Sequence, residues 1–153
     1  MFGNLKVSFN SPQCGWMSIG LSDERSEFNT TTADEPYSSA LSELLATLVM
    51  LVRLENFDHT LKWNRNPEEY DFKFGKNGDS ASLEVIEYAG SVRENGSRVF
   101  EHIGNPLQMA EAFCETFQQL YEERNVDEFE ENWHHSFPFE EFSNLEKAVR
   151  KQS

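Results

Sequence analysis

Between residues 59 and 103 the chain repeats one pattern: short alternating runs of polar and apolar residues separated by Asn-Gly dipeptides. Few folds accept it. A two-residue hairpin turn of the favoured hand needs positive φ, which Asn and Gly tolerate, so Asn77-Gly78 and Asn95-Gly96 read as hairpin signals. They separate runs at 70–74, 83–88 and 99–103, and 59–63 supplies a preceding strand closed by the turn residues Asn64-Arg65-Asn66-Pro67. The pattern predicts a four-stranded antiparallel meander.

The flanks read differently. Leu5-Lys6-Val7-Ser8-Phe9 alternates as a strand, Ser11-Pro12-Gln13-Cys14-Gly15 breaks it, and Met17, Ile19 and Leu21 alternate on a second. A third, polar strand fits 27–32, where Thr residues cluster. Asp34-Glu35-Pro36 is a helix-start signal, because Pro at the first turn loses no needed donor. Leu41, Leu44, Leu45, Leu48, Val49 and Val52 then recur at helical spacing, widened by Met50 and Leu51. The apolar run 44–54 contains Arg53 and is too short to span a bilayer, so it predicts a buried helix. Asn105-Pro106 opens a further helix with Ala110, Phe113, Cys114, Phe117, Leu120 and Tyr121 on one face. Phe129 and Trp133 mark a short helical turn, and Ser136-Phe137-Pro138 precedes a last helix with Phe142, Leu145 and Val149 inward. The expected class is α+β over residues 1–153 as one domain: an N-terminal β segment, a buried helix, the meander, and acidic C-terminal helices.

Charge narrows the partners. The net charge is −14, and between Gln108 and Glu146 eleven acids face one base, Arg124. Such a field repels nucleic acid and anionic lipid and attracts a basic protein. Cys14 and Cys114 lie far apart and form no CxxC unit, and Met1-Phe2-Gly3-Asn4 carries no basic leader. A cytosolic protein with reduced thiols is the expectation.

Catalytic and metal patterns are weak. His134 and His135 beside Glu130 and Glu131 form the one metal-like cluster, with Glu130–His134 and Glu131–His135 at i, i+4. Adjacent side chains diverge on a helix or strand, so both histidines read as surface or interface residues and no metal or cofactor is expected. Cys14 sits in a turn and Cys114 on an apolar helix face, and no nucleophile motif accompanies them. The glycines at 75, 78, 90 and 96 serve hairpins rather than a phosphate loop. We therefore expect a protein that is not an enzyme.

What is left is the acidic helix and the segment after it. Charged helix faces are ordinary, so Glu111, Glu115 and Glu122 taken alone are explained as well by solubility as by a partner. The run 122–133 is sharper: Glu122, Glu123, Asp127, Glu128, Glu130 and Glu131 accompany Phe129 and Trp133 with no nearby lysine. Acids that steer encounter beside an aromatic that fills a pocket suit a recogniser of a basic cleft. Glu111, Glu115, Glu122, Glu123, Asp127, Glu128, Glu130 and Glu131 are thus the expected binding acids and Trp133 the anchor. A rival reading is a ligand-binding or adaptor domain whose meander presents Trp63, Tyr70 and Tyr88 on a concave face.

Gly15-Trp16-Met17-Ser18-Ile19, the Leu-rich helix, Trp63 with Pro67-Glu68-Glu69-Tyr70, and the segment from Trp133 to Phe137-Pro138-Phe139 carry a family likeness. With the acidic composition they make the chain resemble the immunity proteins of contact-dependent growth inhibition and related bacterial polymorphic toxin systems. That resemblance implies a cytosolic protein that binds and blocks one cognate toxin domain, often a nuclease. The order strands–helix–strands–helix also resembles whirly-type folds, whose single-stranded nucleic-acid binding the acidic charge argues against.

Overall fold

The computed structural model describes residues 3–152 apart from 38, 66 and 91, with the side chain of residue 152 also outside the description. Its order is β1 (Lys6–Phe9), β2 (Trp16–Ser22), β3 (Glu27–Ala33), α1 (Ala40–Arg53), β4 (Asn56–Asn64), β5 (Glu69–Asn77), β6 (Ser80–Tyr88), β7 (Ser97–Gly104), α2 (Pro106–Glu123), α3 (Phe129–Trp133) and α4 (Phe139–Gln152). β1, β2 and β3 form one antiparallel sheet and β4 to β7 a second, the expected meander. The protein is α+β.

The two Asn-Gly signals resolve unequally. Asn77 pairs with Ser80, so the first loop is Gly78-Asp79, with Gly78 at φ +63 as a two-residue turn of this hand needs. The second dipeptide does not make a two-residue hairpin. β6 ends at Tyr88 and β7 starts at Ser97, because the loop between them folds back over the sheet and delivers Arg93 to Glu69 and Asp71 on β5. Register also shifts between Val85 and Ile86, which pair with Phe100 and Arg98. Asn66, inside the turn expected after β4, lies outside the described residues, and across it Arg65 N–H donates to Glu68 O at 2.8 Å.

The helix expected from Asp34 begins only at Ala40. Asp34 N–H donates to Gly15 O at 3.0 Å, which continues the β2–β3 pairing and holds that backbone in the sheet. On α1, Leu41, Leu44, Leu45, Leu48 and Leu51 are buried, while Val49 and Val52 are half-buried at the margin. α2 starts as expected: Asn105 accepts from Gln108 N–H at 2.9 Å and Pro106 follows. Its buried face is turned slightly from the expected one, with Met109 and Thr116 inward and Cys114 and Tyr121 half-buried.

α2 also settles the free edge of β1. An edge strand leaves unpaired backbone groups that a fold must cover. Gln108 accepts from Leu5 N–H and donates to Leu5 O, both at 2.9 Å. One turn pair further along, Thr116 Oγ1 accepts from Phe9 N–H at 2.8 Å. Two polar side chains of a helix thus stand where another strand would lie. Phe9 then reaches Trp63 of the meander and Phe117 of α2, at 5.9 and 5.0 Å between ring centroids, so sheet, meander and helix share one core.

The two sheets are tied by polar contacts as well. Thr30 Oγ1 and Tyr70 OH lie 2.7 Å apart. The side chains of Asp23 in the β2–β3 turn and His102 on β7 are closed off from solvent and 2.7 Å apart. Burial pushes the Asp23 carboxyl up, but the His102 hydrogen bond and the backbone N–H groups of Arg25 and Ser26 outweigh it, leaving it below the usual carboxylate range. Among the described residues no helix is long and apolar enough to cross a membrane.

Candidate functional site

Past the end of α2 the chain makes a compact turn that spreads acids outward. Asp127 N–H donates to Glu123 O at 2.9 Å, and Phe129 N–H to Arg124 O at 2.8 Å. Ser11 donates to the Asp127 carboxylate at 2.6 Å, pinning the turn to the start of the chain. Glu128 sits at φ +51, the left-handed region, immediately before α3. Glu122, Glu123, Glu128, Glu130 and Glu131 are exposed, and Asp127 is half-buried. None of these six pairs with a Lys or Arg among the described residues.

The aromatic residues interleaved with these acids have a separate explanation. Phe129, Trp133 and Phe142 are each 2% exposed. Tyr121, Phe137 and Phe142 form a ring cluster with centroids 5.5 to 5.9 Å apart, and Phe129 stands edge-on to Phe137 at 5.4 Å. Trp133 is therefore not a surface anchor, which corrects the sequence expectation. α3 is only five residues long and gains no stability from its own hydrogen bonds, so it is held by burying both of its aromatic ends. Phe139, 52% exposed and 5.1 Å from Tyr121, is the aromatic that remains available.

Between this cluster and the turn lies a groove of about 540 Å³. Tyr121, Phe129, Phe137 and Phe139 give it apolar walls, and Glu128, Glu130 and Glu131 line it with carboxylates. Arg124 is the one base in the lining. Its guanidinium is already engaged, donating to Tyr121 O and lying 3.8 Å over the Tyr121 ring. Glu111 and Glu115 belong instead to a shallower groove of about 440 Å³ between α2 and α4, shared with Cys114 and Glu146. There burial, reinforced by Glu146, pushes the Cys114 thiol up to about 11, so it stays protonated and inert at neutral pH. Glu122, Glu123 and Asp127 line neither groove. The expected acids thus divide into two grooves and an open rim.

The rival site on the meander loses its open face. Trp63 and Tyr70 are fully buried in the core. Tyr88, half-buried, donates to Asp71 at 3.1 Å and lies under Arg93, whose guanidinium is 5.0 Å from the ring centroid. Tyr88 pairs across from Glu69 and Tyr70 from Glu87, so Tyr88 stands on the opposite face of the sheet from Tyr70 and the three side chains share no open face.

The two histidines are placed in a way that their adjacency did not suggest. His134 takes φ +71 at the end of α3, and this bend turns both imidazoles toward Asp34. His134 Nδ1 lies 3.0 Å and His135 Nε2 3.4 Å from Asp34 Oδ2, and His135 Nε2 is 3.8 Å from Glu35 Oε1. Their carboxylate partners are one hundred residues upstream, not the i, i+4 glutamates. No local spacing signal could have found that pairing. No family model matches the chain, and neither a curated protein nor a solved structure matches it.

Proposed function

We propose that this protein is an immunity protein that neutralises a basic nuclease toxin domain, more specifically a ribonuclease, by occluding its substrate cleft. The observation that carries the reading is the groove in which Glu128, Glu130 and Glu131 project beside Tyr121, Phe137 and Phe139. A nuclease cleft presents Lys and Arg to phosphates, and unpaired carboxylates on an apolar wall offer those groups the same charge. The rim acids Glu122, Glu123 and Asp127 extend the field that steers encounter, while Phe139 and Tyr121 take the apolar contact once expected of Trp133. Glu111 and Glu115 lie on the neighbouring groove and add to the field rather than to this contact.

Co-expression with the adjacent coding regions is the direct test: rescue of growth from a toxic neighbour supports the reading, and innocuous neighbours on both sides overturn it. The surface is tested by E122K/E123K/E128K/E130K. We expect association to slow at least tenfold at low salt and its salt dependence to flatten. Full-speed association by that variant would move the interface elsewhere.

A further inference from the structure

We propose that Asp34, Glu35 and His135 form a binding site for one divalent transition-metal ion of the zinc type, with His134 positioning the Asp34 carboxylate. The three donor atoms all lie within 4.8 Å of one another. More telling is His135 Nε2, which is closed off from solvent and makes no hydrogen bond among the described residues, although two carboxylates face it. Its separations from them, 3.4 and 3.8 Å, are too long for good hydrogen bonds. They suit two ligands of a shared ion, since bonds of about 2.0–2.2 Å at a tetrahedral angle put donor atoms roughly 3.3–3.6 Å apart. Glu35, 65% exposed on its side chain, has room to close the longer distance.

The frame around these donors is fixed by backbone rather than by the acids themselves. Asp34 N–H is bonded to Gly15 O, and Gly15 N–H to Asn132 O at 2.6 Å, so the end of β3 and the end of α3 are locked together. Gly15 is at φ +81, and a Cβ there would stand 3.0 Å from Asp34 Oδ1 and 3.2 Å from His134 Cε1. His134 Nδ1–H donates to Asp34 Oδ2, the outer hydrogen bond that commonly orients a ligating carboxylate. One imidazole and two carboxylates is a mixed nitrogen–oxygen set. It favours zinc, cobalt, nickel or manganese over magnesium and calcium, which prefer oxygen alone. Three protein ligands leave a fourth position open to water or to a group from a partner.

The test is titration of Zn²⁺, followed by calorimetry, and of Co²⁺, followed by its visible absorption, into the chelator-treated full chain. We expect one saturable equivalent, a tetrahedral cobalt spectrum, and at least tenfold weaker binding in H135A and in D34N. Circular dichroism and thermal unfolding establish that both variants are folded; if H135A is not, H135Q, which keeps the bulk and most of the polarity, replaces it. E130Q/E131Q, which removes nearby acids outside the donor set, should leave the affinity unchanged. Binding that E130Q/E131Q weakens as much as H135A, or that never saturates at one equivalent, means diffuse attraction to an acidic surface and overturns the site. No zinc or cobalt binding at all overturns it equally. Because the readout is the ion alone, none of these outcomes depends on whether a toxin is bound.

Discussion

Glu69 on the meander and Glu130 on α3 are the same residue type held in opposite ways. The Glu69 side chain is 5% exposed, 2.9 Å from Arg93, and accepts from Tyr37 at 2.7 Å. Arg93 also pairs with Asp71, and Arg98 bridges Glu84 and Glu101 at 3.3 and 3.1 Å. The four acids around Arg93 and Arg98 thus meet their opposite charge within the fold. Among the described residues the Glu130 carboxylate accepts from Ser136, at 3.2 Å, and neither it nor its neighbours Glu128 and Glu131 pair with a base. The meander uses its acids to fasten a loop, and a buried charge so used is costly to unpair. The α3 region leaves its acids uncompensated, and they contribute a field rather than stability. Net charge alone does not separate these uses; the position of two arginines does.

The contrast breaks if the wrong residues carry stability. The largest effect should come from beneath the acidic surface: Trp133→Ala removes a buried ring and is expected to cost about 3–5 kcal/mol in urea unfolding. A surface anchor would show almost none. Arg93→Ala strands Glu69 and Asp71 in a poorly solvated place, and a loss of roughly 3 kcal/mol should appear in the same measurement. Asp23 extends the comparison to pH. Its folded carboxyl titrates below its ordinary value of about 3.9, so its stabilisation is present above that value and lost as pH falls through the lowered folded one. Unfolding midpoints of the wild type should therefore fall more steeply than those of D23N on acidification below about pH 4. Parallel curves would remove Asp23 from the set of structural acids. The smallest effect is expected from E128Q/E130Q/E131Q: within about 0.5 kcal/mol of wild type or slightly stabilised, since no ion pair is lost. A large destabilisation would mean that these acids are structural after all.

Most elements could be read from local pattern because their cause is local. Alternation set the strands, the Leu spacing set α1, and Asn105-Pro106 set the start of α2. Errors fall where a distant partner overrides a local signal. Asp34-Glu35-Pro36 looks like a helix start, but Gly15 keeps Asp34 in the sheet. Asn95-Gly96 looks like a tight hairpin, but Arg93 draws a longer loop back to β5. Trp133 looks like an exposed anchor among acids, but α3 needs it buried.

By itself the sequence determined the class of fold, the order of its elements and the sign of its surface, because periodicity and composition act residue by residue. Tertiary structure alone decided which acids are neutralised, which aromatics are accessible, and that His134 and His135 meet Asp34. Those are matters of which side chains come within a few ångströms across long stretches of chain, and both hydrogen bonds and desolvation act only over such distances. A charge can be counted in a sequence, but whether it has a partner cannot.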